Sequence, residues 1–186
     1  MGLSKAQKQN ISLKRIEAQK RGAKAVKQRR LIEIKELMNL GLKDIGAISQ
    51  RDLLLIGTTI YWAEGAKQKE GVNVSQCVDF SNSDPNMVLI FIKWLKECCN
   101  VSENELKFAL CIHKSKDLDI NNEMKWWKSY LGIDRNLLIK IRYKKDNFGT
   151  RRHFMDYHGQ FIVKVCKSTK LNRRISGWVY GINRGI

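Results

Sequence analysis

The chain has little proline, no long apolar run and no paired cysteine motif, and each shortage excludes a class of protein. One proline in 186 residues, with no stretch rich in glycine and serine, leaves no obvious linker between two folded domains. The longest apolar runs, such as residues 53–56 and 87–92, are far shorter than the ~20 residues that cross a bilayer. The sequence therefore predicts a soluble, cytoplasmic protein without a membrane partner, built as one compact domain with an N-terminal extension.

Motifs for metal and nucleotide chemistry are also scarce. The five cysteines form no C-x-x-C pair, so we expect reduced thiols rather than a zinc or redox site. His113, His153 and His158 do not stand at ligand spacing from a cysteine, which disfavours a zinc nuclease. The sequence has no glycine-rich phosphate loop and no nucleophile elbow.

Positive charge is abundant, and it is concentrated in two blocks. Residues 1–51 hold 13 Lys and Arg against 4 Asp and Glu, and residues 135–174 hold 12 against 2. The segment 52–134 between them is slightly acidic, with 9 basic and 12 acidic residues. Two such blocks favour surfaces that meet a polyanion, and nucleic acid is the leading interpretation. A solvated charged surface and an anionic membrane are the alternatives.

The N-terminal part of the chain predicts two helices. Residues 12–39 have loosely helical apolar spacing and many basic residues, and Gly41 stands just past their end. The sequence S-Q-R-D at 49–52 is a capping box, so a second helix begins at Gln50 and ends at Glu64 or Gly65. These signals divide the chain into a basic helical extension, 1–48, and a folded domain, 49–186.

Beyond Gly65, strand and helix signals alternate. Asp84 and Pro85 predict a helix start, and Gly132 predicts a helix end. The predicted strands are 74–81, 106–114, 137–145 and 160–167, and the predicted helices are 85–99, 121–131 and one that begins near Leu171. We expect the last two strands to pair antiparallel across the polar loop 146–159. The fold class is α+β, with a mixed, mostly antiparallel sheet covered by helices on one face.

One predicted strand alternates apolar and basic residues, which suggests how a polyanion is bound. Lys140, Arg142 and Lys144 lie on one face, about 6.6 Å apart, and two base-pair steps span about 6.8 Å of duplex. Lysine suits phosphate contacts and arginine suits guanine. A solvated outer face is the alternative interpretation. The density of nearby charge favours DNA, and the predicted DNA-binding residues are Lys140, Arg142, Lys144, Lys145, Arg151, Arg152, Lys164 and Lys167.

The second predicted helix combines small residues with a terminal carboxylate. Gly57 and Glu64 share a stripe with Ile60, and Thr59 and Ala63 form the adjacent stripe. Small residues at these spacings let another backbone approach closely, so this surface is a candidate helix–helix contact. A carboxylate at the negative end of the helix dipole is unfavourable unless a cation compensates. A frayed helix end with a solvated glutamate is the alternative.

These residues resemble a known family. The segment LLLIGTTIYWAEG (53–65), followed by VDFSNS (78–83) and DPNMVLIFIKWL (84–95), is similar to the LAGLIDADG homing endonucleases and their non-cleaving relatives. YHGQFIVKV (157–165) and the closing helix also suit that fold, so the resemblance covers 49–186 and leaves 1–48 unexplained. It implies a curved, mostly antiparallel sheet in the major groove and a motif helix at a two-fold interface.

The resemblance also implies an activity. Glu64 matches the acidic residue that binds a divalent metal, here Mg²⁺, and Gly65 matches the closing glycine. Gly57, Thr59, Ile60 and Ala63 become dimer-interface candidates, because a single motif implies a homodimer. Such a dimer would cleave double-stranded DNA by Mg²⁺-dependent phosphodiester hydrolysis, with Lys164 or Lys167 stabilising the developing charge.

Three departures from the family pattern leave alternatives open, and the first is that the strand–helix segment 106–131 is longer than the minimal family unit. Thr59 stands where the family usually has glycine, and Trp62 replaces a position that is often polar. Threonine at a tight crossing could separate the two Glu64 carboxylates. A catalytically inactive DNA-binding transcription regulator is therefore the alternative function, and an RNA-splicing maturase is a third.

Overall fold

A computed structural model describes Gly2, residues 4–66, 76–113, 119–134, Leu137, residues 139–144 and residues 157–186. The chain divides into two compact units, Met1–Ile48 and Ser49–Ile186. Several residues of the sequence predictions lie outside the described part, namely residues 74 and 75 of the first predicted strand, Lys145, Arg151, Arg152 and His153.

The first unit contains one helix, α1, which spans Lys5–Ile45. The helix begins earlier than predicted because Ser4 and Gln7 form a capping box, in which each side chain accepts a hydrogen bond from the other residue's backbone N–H. Gly41 does not end the helix. The end lies at Gly46, which has a φ of 61° and donates its N–H to the Leu42 carbonyl.

The second unit begins with α2, Gln50–Glu64, as the sequence predicts. Asp52 accepts a hydrogen bond from the Ser49 backbone N–H, and Ser49 accepts one from the Asp52 N–H. Four strands, four helices including α2, and one short 3₁₀ turn make up the described part of this unit. They follow in the order β1 Asp79–Asn82, α3 Pro85–Glu97, the 3₁₀ turn Glu103–Glu105, β2 Leu106–His113, α4 Ile120–Leu131, β3 Ile139–Lys144, β4 Gln160–Val165 and α5 Thr169–Arg184.

The four strands form one open mixed sheet in the order β1-β4-β2-β3. β4 pairs antiparallel with both β1 and β2, and β3 pairs parallel with β2. The predicted antiparallel pairing of the last two strands is therefore wrong. Parallel neighbours need a crossover connection, and α4 provides it between β2 and β3. β4 then lies in the centre of the sheet, away from β3.

Aromatic contacts show which face of the sheet carries the helices. Phe80 of β1 stacks on Phe91 of α3, with ring centroids 4.3 Å apart, and Phe161 of β4 stacks on Trp127 of α4 at 4.8 Å. Tyr61 of α2 stacks on Phe91, and Trp178 of α5 meets Trp94 edge-on. The core thus lies between the phenylalanine face of the sheet and its helices, while alternate strand residues point away from it.

Candidate nucleic-acid interface

The register of the sheet gathers basic side chains on the face opposite the core. Lys107 of β2 lies directly across from Lys164 of β4, and Lys164 lies across from Asp79 of β1. Two residues further along, Lys140 of β3 is in register with Ala109, Ile162 and Ser81. Arg142 then aligns with Cys111 and Gln160, and Lys144 with His113. We call Lys107, Lys140, Arg142, Lys144 and Lys164 the basic face.

The charge on this face is almost all of one sign. Lys107, Lys140, Arg142 and Lys164 are exposed and Lys144 is half-buried. Asp79 is the single carboxylate among the described residues that the strands place on this side of the sheet. A surface of closely spaced cations attracts polyanions, because each phosphate contact releases condensed counterions.

Asp79 lies in an unfavourable position for a carboxylate. Burial raises the pKa of Asp79 above its usual 3.8, and the positive charges of Lys164 and Arg142 only partly oppose this shift. Since the raised pKa means that the folded state binds the proton more tightly, the free energy of unfolding falls as the pH rises from about 3.8 through the folded-state pKa.

We therefore predict that Asp79→Asn stabilises the protein at pH 7. The advantage disappears below pH ~3.8, where both side chains are neutral. If the basic face binds duplex DNA, binding also tightens, because the variant removes a carboxylate that repels phosphate. Urea unfolding at pH 7 and pH 3, with a duplex-binding titration at pH 7, measures these effects. A variant less stable than the wild type at pH 7 contradicts the explanation.

The other predicted DNA-binding residue in the described part of the chain, Lys167, does not belong to the basic face. It follows β4 in a turn, with a φ of 49°, and its side chain is exposed. The strand ends at Val165, because Ser168 accepts a hydrogen bond from the Val78 N–H and donates one to the Val165 carbonyl. The position of Lys167 is thus set by this turn and not by the strand pairing of β4.

Lys107 is the basic-face residue that the sequence analysis missed. Lys107 stands between the buried Leu106 and Phe108, so the alternation in the sequence places it on the outer side of β2. Its proximity to Lys164 depends on the pairing of β2 with β4, which the sequence patterns did not reveal. With that pairing, the residue that stands opposite Lys164 is identified directly by the register.

Glu64 and Gly65 lie where α2 meets the sheet. Glu64 is the last residue of the helix and its side chain is exposed. Gly65 forms an isolated antiparallel bridge with Phe80, and the Ala66 N–H donates to the Asp79 carbonyl at 2.9 Å. The end of α2 is thereby tied to β1, the strand that carries Asp79.

A buried polar cluster fixes this junction. Asn172 of α5 is 1% exposed, and its Nδ2 donates to the carbonyls of Ala66, Gln76 and Cys77 at 3.1–3.3 Å. The Tyr61 hydroxyl donates to the same Ala66 carbonyl at 2.6 Å, and burial raises the pKa of Tyr61 to about 12. Because the phenol stays protonated, it keeps donating across the physiological pH range.

The metal donors that the structure describes are too few for Mg²⁺. Among the described residues, no group of three or more His, Cys, Asp and Glu side chains could hold a metal ion. Glu64 therefore offers a single carboxylate, whereas Mg²⁺ prefers an octahedral set of oxygens. Gly65, the other predicted metal residue, contributes backbone only and is engaged with β1.

Comparison of the chain with protein-family models, with curated proteins and with solved structures gives no match. The family resemblance of the motif thus remains a prediction. Among the described helices, none is long and apolar enough to cross a membrane.

The candidate dimer-interface residues separate onto different sides of α2. Thr59 and Ala63 are exposed, and Ile60 is partly buried against the core. Gly57 is buried and faces α3: a Cβ added there would lie 2.0 Å from Cγ of Trp94. The close helix approach at Gly57 is therefore a contact within the chain. The exposed side of α2 also carries two large apolar residues, Leu55 and Trp62, each 40% exposed.

His158 makes structural contacts at the start of β4. Nδ1 of His158 lies 2.8 Å from Oε2 of Glu123, and the imidazole stacks on Trp126 with centroids 3.6 Å apart. The His158 carbonyl accepts a hydrogen bond from Nε1 of Trp127. These contacts attach the start of β4 to α4, the crossover helix behind the basic face.

Proposed function

We propose that the protein binds double-stranded DNA through the basic face. The observation that carries this proposal is the register that aligns Lys107, Lys140, Arg142, Lys144 and Lys164 on one side of an open sheet, opposite the core. Neighbouring strands lie ~4.8 Å apart, and alternate residues of a strand lie about 6.6 Å apart. The spacing along a strand is close to the ~6.8 Å of duplex axis that two base-pair steps span.

The geometry supports a groove rather than a flat anionic surface. β3 is an edge strand, so Lys140, Arg142 and Lys144 can enter a major groove, which admits a two-stranded β-ribbon. Lys107, one strand further in on β2, and Lys164, two strands further in on β4, then meet the flanking phosphates. We also propose that the protein is cytoplasmic, where thiols stay reduced, because all five of its cysteines are free.

Cleavage of the bound DNA by a homodimer is the second candidate function. It is favoured by the place of Glu64, exposed at the end of a helix that is joined through Gly65 to the strand bearing Asp79. The exposed side of α2, with Thr59, Ala63 and Trp62, would form the interface with a second copy. Two copies would supply two Glu64 carboxylates as protein ligands for Mg²⁺, which one chain does not.

Target selection from a random duplex library tests the first proposal. We expect selection to enrich duplexes whose binding weakens steeply with salt. Failure to enrich any duplex would overturn DNA binding, and preferential enrichment of structured RNA in a parallel selection would favour the splicing alternative.

Incubation of the selected duplexes with Mg²⁺ tests the second candidate function, DNA cleavage. Cutting that disappears in Glu64→Gln while binding persists supports the endonuclease. Glu97→Gln, on α3, is the control and should cut like the wild type. Absence of cutting with any divalent metal would favour a DNA-binding regulator that does not cleave. Cutting that persists in Glu64→Gln would show that Glu64 is not part of the catalytic site.

A further inference from the structure

The helix α1 lacks the usual source of helix stability. It is 41 residues long, and none of its described residues is buried. Most helices in proteins are stabilised by packing an apolar face against a core, and propensity alone contributes little. The capping box at Ser4 adds only about 1 kcal/mol. Something other than packing within its own unit must therefore stabilise this helix.

The N-terminal part of α1 also repels itself. Residues 5–30 contain one carboxylate, Glu17, whereas residues 31–45 contain three acidic and two basic residues. Like charges three or four residues apart, such as Lys20 with Lys24 and Lys24 with Lys27, destabilise a helix by a few tenths of a kcal/mol each. The basic residues of this part are Lys5, Lys8, Lys14, Arg15, Lys20, Arg21, Lys24, Lys27, Arg29 and Arg30.

These charges surround the helix axis. At about 100° per residue, Lys5, Lys20 and Lys27 lie on one side of α1, while Lys14 and Arg21 lie on the opposite side. A flat anionic surface, such as a membrane, can engage only one side of a helix. A groove with phosphates on both walls can engage both sides at once.

The dimensions match the major groove of B-form DNA. The groove is about 12 Å wide and a helix with its side chains is about 10–12 Å across. Residues 5–30 span roughly 39 Å at 1.5 Å per residue, close to the ~34–36 Å of one duplex turn. The major groove of A-form RNA is too deep and narrow for side chains to read.

We propose that residues 5–30 of α1 are a second DNA-binding element, which lies in a major groove and is held helical there by the phosphates. This inference rests on the proposed function, because it assumes that duplex DNA is the partner. It assigns a role to the basic block that the resemblance to the endonuclease family leaves unexplained.

The test compares two variants of the full-length chain that lose the same charge from one helix. Lys24→Gln/Lys27→Gln lies in the basic part, and the control Lys35→Gln/Lys43→Gln lies beyond it. We expect the first variant to bind duplex DNA at least tenfold more weakly and to lower the slope of log K against log salt by about 1.8. The control should keep the wild-type affinity and slope. Circular dichroism should show more helix when duplex is added to the wild type.

Equal weakening by both variants would overturn the proposal, as would tighter binding to an RNA duplex or to phosphatidylserine vesicles than to DNA. The basic-face variant Lys140→Gln/Arg142→Gln, titrated in parallel, separates the two claims. If it weakens binding while Lys24→Gln/Lys27→Gln does not, the role of α1 fails and the proposed function stands. The reverse result would contradict the DNA-binding role of the basic face and support that of α1.

Discussion

Replacing Gly57 with alanine is expected to lower the free energy of unfolding by about 3 kcal/mol. The added Cβ would lie 2.0, 2.3 and 2.5 Å from three ring atoms of Trp94. Trp94 is fully buried, next to Phe91 and Tyr61 and edge-on to Trp178, so the indole has no free space into which to move. The overpacking outweighs the gain in helix propensity, which is at most about 1 kcal/mol.

Gly177→Ala is the matched control for this prediction. Gly177 lies inside α5, and a Cβ added there would meet no heavy atom within 4 Å. The same chemical change should therefore stabilise the protein by up to about 1 kcal/mol. Urea unfolding at two protein concentrations measures both variants. A Gly57→Ala protein as stable as the wild type, or a loss seen only through weaker self-association, would show that Gly57 does not pack on Trp94.

The double variant Lys140→Gln/Arg142→Gln is expected to lose duplex affinity by about tenfold to a hundredfold at physiological salt. In the proposed complex Lys140 would contribute a phosphate contact, and an arginine in contact with guanine is worth about 1–3 kcal/mol. Both side chains are exposed on the edge strand β3, so the stability of the fold should change by less than about 0.5 kcal/mol.

Lys93→Gln/Lys96→Gln controls for the loss of charge alone. These two lysines are exposed on α3, on the helical side of the sheet, where they pair with Glu97 and Glu103. The control lowers the net charge by the same amount but should bind duplex almost as tightly as the wild type. Equal losses in both variants would indicate attraction to the total charge, without a role for the basic face.

Local signals in the sequence predicted local structure well. The capping box at Ser49 and Asp52 marks the start of α2, and Asp84 with Pro85 marks the start of α3, because each signal satisfies backbone groups of the same helix turn. The left-handed Gly132 ends α4 for the same reason. The α+β class and the placement of the helices on one face of the sheet also follow from these patterns.

Partners distant in the sequence could not be predicted in this way. Alternation along β3 shows that Lys140 and Arg142 share a face, but the same pattern suits a parallel or an antiparallel neighbour. The small residues of α2 predicted a close approach of another helix, and the structure shows one at Gly57, made by a side chain of the same chain. That the approaching group is Trp94, 37 positions along the same chain, depends on how α2 and α3 pack.

Lysine acetylation with and without a selected duplex tests the central claim, that the basic face is the DNA-binding surface, most directly. The proposal predicts that duplex protects Lys107, Lys140 and Lys164, which share the basic face, and leaves Lys93 and Lys96 on α3 as reactive as in the free protein. Protection of Lys93 and Lys96, with no change at Lys107, Lys140 and Lys164, would contradict it.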